Sequence, residues 1–203
     1  MSYQLLKNDI LFYQRFLKSN GFYMGALDGL WGPKTNKADT DFVALSVSIA
    51  GQYGTFDNRS ETNIITLIPD AQIEARRFLK WARNNNKRVK ILSCTRTYAE
   101  QDTLYSQGRN GNPPPVITNA KGGQSNHNFG VAWDIGLFNN DGSYNTNDND
   151  YKAFARLILS DISTIDWGGN WTSFKDYPHY QLKSAGDNVT AIRQLFESGQ
   201  AYA

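Results

Sequence analysis

The sequence predicts an α+β fold in two parts: a small helical N-terminal module followed by a larger mixed α+β portion. Apolar residues recur at helical spacing in two runs near the N-terminus, and the rest of the chain alternates helical patterns with short β-branched stretches. No internal repeat organises the chain. With 203 residues, 40% hydrophobic and 13% aromatic, it has material for a packed core and is not of disordered composition.

Leu6, Ile10, Tyr13 and Leu17 mark the first helix, Leu5, Phe12 and Phe16 widen its stripe, and Asn20-Gly21 stops it. A glycine- and aromatic-rich connector follows, with a turn at Asp28-Gly29. Pro33 opens a second helix that places Ala38, Phe42, Leu45 and Ile49 on one face. The segment Gly51-Gln52-Tyr53-Gly54 is the expected boundary, giving domains 1–52 and 56–203. Pro69 to Asn84 reads as a helix with Ile73, Ala75, Phe78, Leu79 and Ala82 inward, and Val89 and Ile91 begin a strand. Tyr98 to Ser106 reads as a helix, and residues 108–124, with Pro113-Pro114-Pro115, as a polar loop bordering a groove. Phe129 to Ile135 suits a strand, residues 150–160 a helix, His179 to Leu182 a short strand, and Val189, Ile192 and Leu195 a closing helix.

Twenty-one basic against 19 acidic residues leave a net charge of +2, which gives no ground for a nucleic-acid partner. No run approaches the ~20 apolar residues of a membrane span, so no membrane partner is expected. The N-terminal sequence lacks the apolar core of a signal peptide; the expectation is synthesis in the cytoplasm and action elsewhere only after release. The one cysteine, Cys94, excludes an internal disulfide and reads as a buried structural thiol in a strand. The oxygen-rich run from Asn139 to Asp150 fails the calcium-loop register and reads as a solvated turn.

Both histidines stand among other metal donors. His127 lies in Ser125-Asn126-His127-Asn128-Phe129-Gly130-Val131-Ala132-Trp133-Asp134, and His179 in Asp176-Tyr177-Pro178-His179-Tyr180. Two imidazoles and a carboxylate with an open fourth position are the shell of a catalytic zinc. A hydrolytic site also needs a base that is not a ligand, and Asp176 stands three residues before His179. Residue types and spacing alone leave ordinary core or surface histidines as a nearly equal alternative.

The first of these segments resembles the SxHxxGxAxD signature of the zinc D-alanyl-D-alanine carboxypeptidase and L-alanyl-D-glutamate peptidase family, which is grouped with lysostaphin-type enzymes and the hedgehog domain. Trp167-Gly168-Gly169-Asn170-Trp171 through His179 resembles the second signature, particularly of the bacteriophage endolysin branch. Thr95-Arg96-Thr97-Tyr98-Ala99-Glu100-Gln101, with Leu104-Tyr105 and Gly108-Arg109, resembles the substrate-side segment. The resemblance implies a zinc ion held by His127, Asp134 and His179, with Asp176 as general base and Arg96 stabilising the oxyanion. It gives Ser125 a substrate-contacting or ligand-supporting role, beside which a turn cap is an equal reading. Gly130 and Ala132 let the backbone approach the metal strand, and Trp167 and Trp171 read as core or groove wall.

Gln14-Arg15-Phe16-Leu17, Gly21-Phe22-Tyr23, Gly25, Asp28-Gly29, Gly32-Pro33-Lys34-Thr35, Ala38 and Phe42 resemble the helical peptidoglycan-binding domain. Tyr23, Asp28 and Trp31 are then the implied glycan contacts; a small helical cap is the alternative. Together the resemblances imply a monomeric bacteriophage-type endolysin, a zinc-dependent L-alanyl-D-glutamate endopeptidase acting on peptidoglycan. The alternatives are a D,D-carboxypeptidase acting on D-Ala-D-Ala and a non-catalytic, hedgehog-like wall-binding protein. A complete ligand set with Asp176 in place argues against the latter.

Overall fold

The computed structural model describes residues 7–203 apart from Asn110, Asn112, Pro114 and Asp187. Leu5 and Leu6 of the first apolar stripe and Pro114 of the proline run lie outside the described residues. The helices are α1 (Lys7–Ser19), α2 (Pro33–Tyr53), α3 (Asn58–Ile64), α4 (Pro69–Asn84), α5 (Tyr98–Ser106), α6 (Asp148–Asp161) and α7 (Val189–Ser198). The strands are β1 (Val89–Ser93), β2 (Ala132–Leu137), β3 (Ile165–Trp167) and β4 (His179–Leu182), in one antiparallel sheet ordered β1-β2-β4-β3. The fold is α+β, as expected.

Local chemistry fixes the element ends. Thr97 and Glu100 form a reciprocal capping box at the start of α5, and the side chains of Asp57, Asn147 and Asn188 cap α3, α6 and α7. Two elements were not expected. Helix α3 is seven residues long and buries Ser60 and Ile64, and β3 has three residues, so neither offers a full hydrophobic period. The strand expected from Phe129 begins instead at Ala132, because Asn126–Phe129 winds into a 3₁₀ turn. In α2, Leu45 is 39% exposed while Ser46 is buried. The inward run is Thr35, Ala38, Phe42, Ser46 and Ile49, a helical face on which a small polar residue takes the place expected for leucine.

The chain groups into two compact units. One comprises the residues up to Leu45, Arg96–Phe129 and the C-terminal stretch through Ala203; the other comprises Ser46–Thr95 and Gly130–Gly186. The expected boundary segment is partly helical, since α2 continues through Tyr53.

In the first unit, the ring of Phe12 on α1 meets Tyr98 at 5.7 Å and Phe196 at 5.2 Å, and Phe196 meets Phe129 at 5.3 Å. The Tyr202 hydroxyl donates to the Phe129 carbonyl at 2.6 Å, so the last residues also close on the 3₁₀ turn. Buried Gln14 organises the connector after α1. Its amide nitrogen donates to Asp28 Oδ1 and the Leu30 carbonyl, and its amide oxygen accepts from the N–H groups of Asp28 and Gly29.

In the second unit, Phe78 of α4 is the centre of the core. It packs on Trp133 of β2, Tyr180 of β4 and Phe154 of α6. Cys94 is buried and in no disulfide, as expected. The Asn139–Ser143 segment closes on itself through Ser143 N–H to Asp141 Oδ1 and Asn139 N–H to the Ser143 carbonyl.

Helix α4 also buries Arg76 completely. Its guanidinium makes two 2.8 Å bonds to the two carboxylate oxygens of Glu61 on α3 and a third to the Gly54 carbonyl. Glu61 Oε1 accepts from Phe56 N–H as well, so one ion pair anchors the connector between α2 and α3. Removing one partner of a buried pair strands the other charge. Arg76→Met should therefore lower unfolding stability by about 3 kcal/mol or more, read as a lower urea midpoint at unchanged slope.

Candidate metal centre

The antiparallel register of β2 and β4 sets Asp134 directly opposite His179 and Ala132 opposite Gln181. Trp133 and Tyr180 point to Phe78, so alternation along each strand turns Asp134, His179 and Gln181 to the other face of the sheet. The third donor, His127, sits on the 3₁₀ turn that precedes β2. Gly130, with φ +70°, lets the chain reverse between that turn and the strand.

Among the described residues, His127, Asp134 and His179 are the one group of His, Cys, Asp or Glu side chains whose donor atoms all lie within 4.8 Å of one another. His179 Nδ1 and Asp134 Oδ1 are 3.4 Å apart. Donors bound tetrahedrally at zinc distances stand about 3.4 Å from each other. The donor set and its spacing therefore fit a divalent ion such as zinc.

The turn carrying His127 is fixed by side chains that bond to backbone. Asn128, fully buried, accepts from Gly123 N–H at 2.9 Å and donates to the Arg96 carbonyl at 2.9 Å. Arg96 N–H in turn donates to the His127 carbonyl at 3.0 Å. The Arg96 segment and the His127 turn are thus bonded in both directions. The guanidinium of Arg96 contacts Gln101 Oε1 at 3.4 Å. Ser125 caps the turn: its hydroxyl accepts from His127 N–H at 3.4 Å and its carbonyl from Asn128 N–H at 2.9 Å.

Asp176 lies outside the three-donor group, on the turn that enters β4, where its carbonyl accepts from His179 N–H and its own N–H donates to the Gly168 carbonyl. A Cβ on Gly168 would fall 2.6 Å from the Asp176 carbonyl and 3.0 Å from the His179 Cβ, so only glycine permits this approach. Trp167 is core and donates from Nε1 to the Tyr177 carbonyl, while the Trp171 ring stacks obliquely 4.7 Å from the His179 ring.

Of the implied glycan contacts, Tyr23 is 4% exposed and spends its hydroxyl on the Ala26 carbonyl, a core role. Asp28 braces the turn: the bond from Leu30 N–H, then that from Gln14, hold its carboxyl below the ordinary carboxylate range. Trp31 is 42% exposed and stacked nearly parallel on Tyr13, at 6.0 Å. Asn128 and Gln181 carried no expectation from the sequence, whereas Trp171, expected as core or groove wall, stands beside His179. For Gln181 the signal was available, since residues 179 and 181 of one strand share a face.

Burial opposes a charged ring at His179, but the bond and charge of Asp134 and the charge of Asp176 outweigh it and raise its pKa above 6.5. The metal-free fold gains stability from this proton below the unfolded value and loses it as pH rises through the raised one. Metal binding needs the ring deprotonated and runs the opposite way. Zinc affinity, measured by dye competition, should fall with acidification from a pH above that of an ordinary histidine. The metal-free chain should lose stability over the same alkaline rise that tightens zinc.

Three comparisons bear on this geometry. Residues 118–182, which include His127, Asp134, Asp176 and His179, match the family model described as D-alanyl-D-alanine carboxypeptidase. Over 110 residues the chain is 38% identical to the peptidoglycan L-alanyl-D-glutamate endopeptidase CwlK of Bacillus subtilis (strain 168), an alignment covering 50% of this chain and 64% of that protein. The chain thus spans just under two thirds of the length of that relative. A further similarity is to the crystal structure of the Serratia marcescens L-Ala D-Glu endopeptidase ChiX, with TM-score 0.46 and 24% identity, covering 63% of this chain and 88% of that one.

Proposed function

We propose that this chain, whose residues 118–182 match the family model described as D-alanyl-D-alanine carboxypeptidase, is a zinc-dependent endopeptidase of peptidoglycan that cuts the L-alanyl-D-glutamate bond of the stem peptide. The observation that carries the reading is the His127, Asp134 and His179 donor group, with Asp176 three residues before one of its members. Zinc held there would act as a Lewis acid and lower the pKa of a bound water to about 7.

The chain's own residues divide the remaining work. Asp176 accepts a proton from the attacking water and delivers it to the leaving amine. Arg96, tied by its backbone to the His127 turn, presents its guanidinium to the developing oxyanion. Ser125 shapes the turn rather than the substrate. The choice of bond rests on the Bacillus relative, which is named for that bond, and on the N-terminal module. An endopeptidase gains from a tether that keeps the polymer close.

Residues 1–52 are proposed as the peptidoglycan-binding domain, with Trp31 as its outer contact and residues 56–203 as the catalytic domain. The same reading extends to a monomeric bacteriophage endolysin, made in the cytoplasm and reaching the wall on release.

Mass spectrometry of digested peptidoglycan should find L-alanine left on muramic acid and a new amine on D-glutamate. Release of free D-alanine would establish the carboxypeptidase instead. Asp176→Asn should keep zinc and lose turnover by roughly 10²–10⁴-fold; loss of zinc from this variant would make Asp176 a ligand. Trp31→Ala in the full chain should weaken sedimentation with insoluble peptidoglycan roughly three- to tenfold, the scale of one lost aromatic stack. Hydrolysis of a soluble muropeptide is the comparison that separates lost retention from lost chemistry.

A further inference from the structure

Gln181 takes no part in the chemistry assigned above, yet it is 1% exposed and shares a strand face with His179. We propose that Gln181 is a positioning residue that selects which nitrogen of His179 meets the metal. The inference rests on the zinc-site reading.

His179 is buried at 3% exposure, and its two ring nitrogens face different groups. Nδ1 lies 3.4 Å from Asp134 Oδ1, on the side of the donor group, and Nε2 lies 3.0 Å from Gln181 Oε1. A neutral imidazole that donates a lone pair from one nitrogen carries its proton on the other. With Nδ1 turned to the metal, the proton belongs on Nε2, where a buried N–H requires an acceptor. The Gln181 amide oxygen supplies it. The rival tautomer would set a bare Nε2 against the amide oxygen, lone pair to lone pair, and place a proton where the ion must bind.

A glutamine does this without adding charge. The backbone fixes the geometry, because Gln181 is locked between Ala132 of β2 and Asp166 of β3 in the ladder. The Trp171 ring packs against the imidazole.

The test uses two variants and two readouts. Gln181→Met removes the acceptor at similar volume and should weaken zinc binding about 10–100-fold in dye competition. Gln181→Glu keeps an acceptor and should stay closer to the parent. The second readout is independent of activity. The chain has two histidines, so ¹⁵N-imidazole NMR of the zinc-loaded protein has two rings to assign. His179 should show a proton on Nε2 that exchanges slowly with water, lost or fast-exchanging in Gln181→Met and retained in Gln181→Glu. A proton on Nδ1 in the zinc-loaded parent would overturn the proposal even if Gln181→Met did not fold. So would parental zinc affinity in Gln181→Met with the Nε2 proton still protected. A parent chain that takes up no zinc fails the site reading itself, a result distinct from either of these.

Discussion

The register between β2 and β4 is the constraint on which the site depends. Side chains alternate along a strand, so a slip of one residue would turn Asp134, His179 and Gln181 into the core and bring Trp133 and Tyr180 out. Phe78 prevents the slip, because its ring contacts both of those aromatics at once. The hydrophobic core therefore fixes where the polar cluster stands, and the donors need no contribution of their own to the stability of the sheet.

Hydrogen bonds that end on backbone do the rest of the positioning. Asn128 in the 3₁₀ turn and Gln14 under the first connector each satisfy several main-chain groups that the irregular backbone leaves without a ladder partner. Both are fully buried amides, whose paired donor and acceptor suit a loop that must offer carbonyls and N–H groups to one point. Arg76 performs the same service with a charge, at a larger desolvation cost met by Glu61 and the Gly54 carbonyl.

Much of this was legible from the chain. The long helices and the proline at the first position of α2 and α4 follow from period and cap chemistry, and the three donors stand in segments whose residue types already suggested a metal. Short elements were not legible: α3 and β3 take their conformation from neighbours rather than from a period of their own. Nor were polar residues in apolar places. Ser46 rather than Leu45 faces inward, and nothing in the composition marks Gln14, Arg76 or Asn128 as fully buried, because some of the partners that make burial tolerable, such as Gly29, Glu61 and Arg96, are distant in sequence. Tyr23 shows the converse, an aromatic in a suggestive loop that the fold uses as core.

The aromatic contact of Phe12 with Tyr98 and Phe196 bears on how such chains can be recombined. The N-terminal helix shares a core with segments some ninety and nearly two hundred residues downstream, so a crossover near residue 52 would pair inherited rings with a foreign surface. A chimaera that trades the first module for another would need an aromatic at the position of Phe12, or matched changes at Tyr98 and Phe196. Because Phe196 also packs on Phe129, two residues past a metal donor, a poorly chosen graft at the front of the chain would be felt in the turn that carries His127.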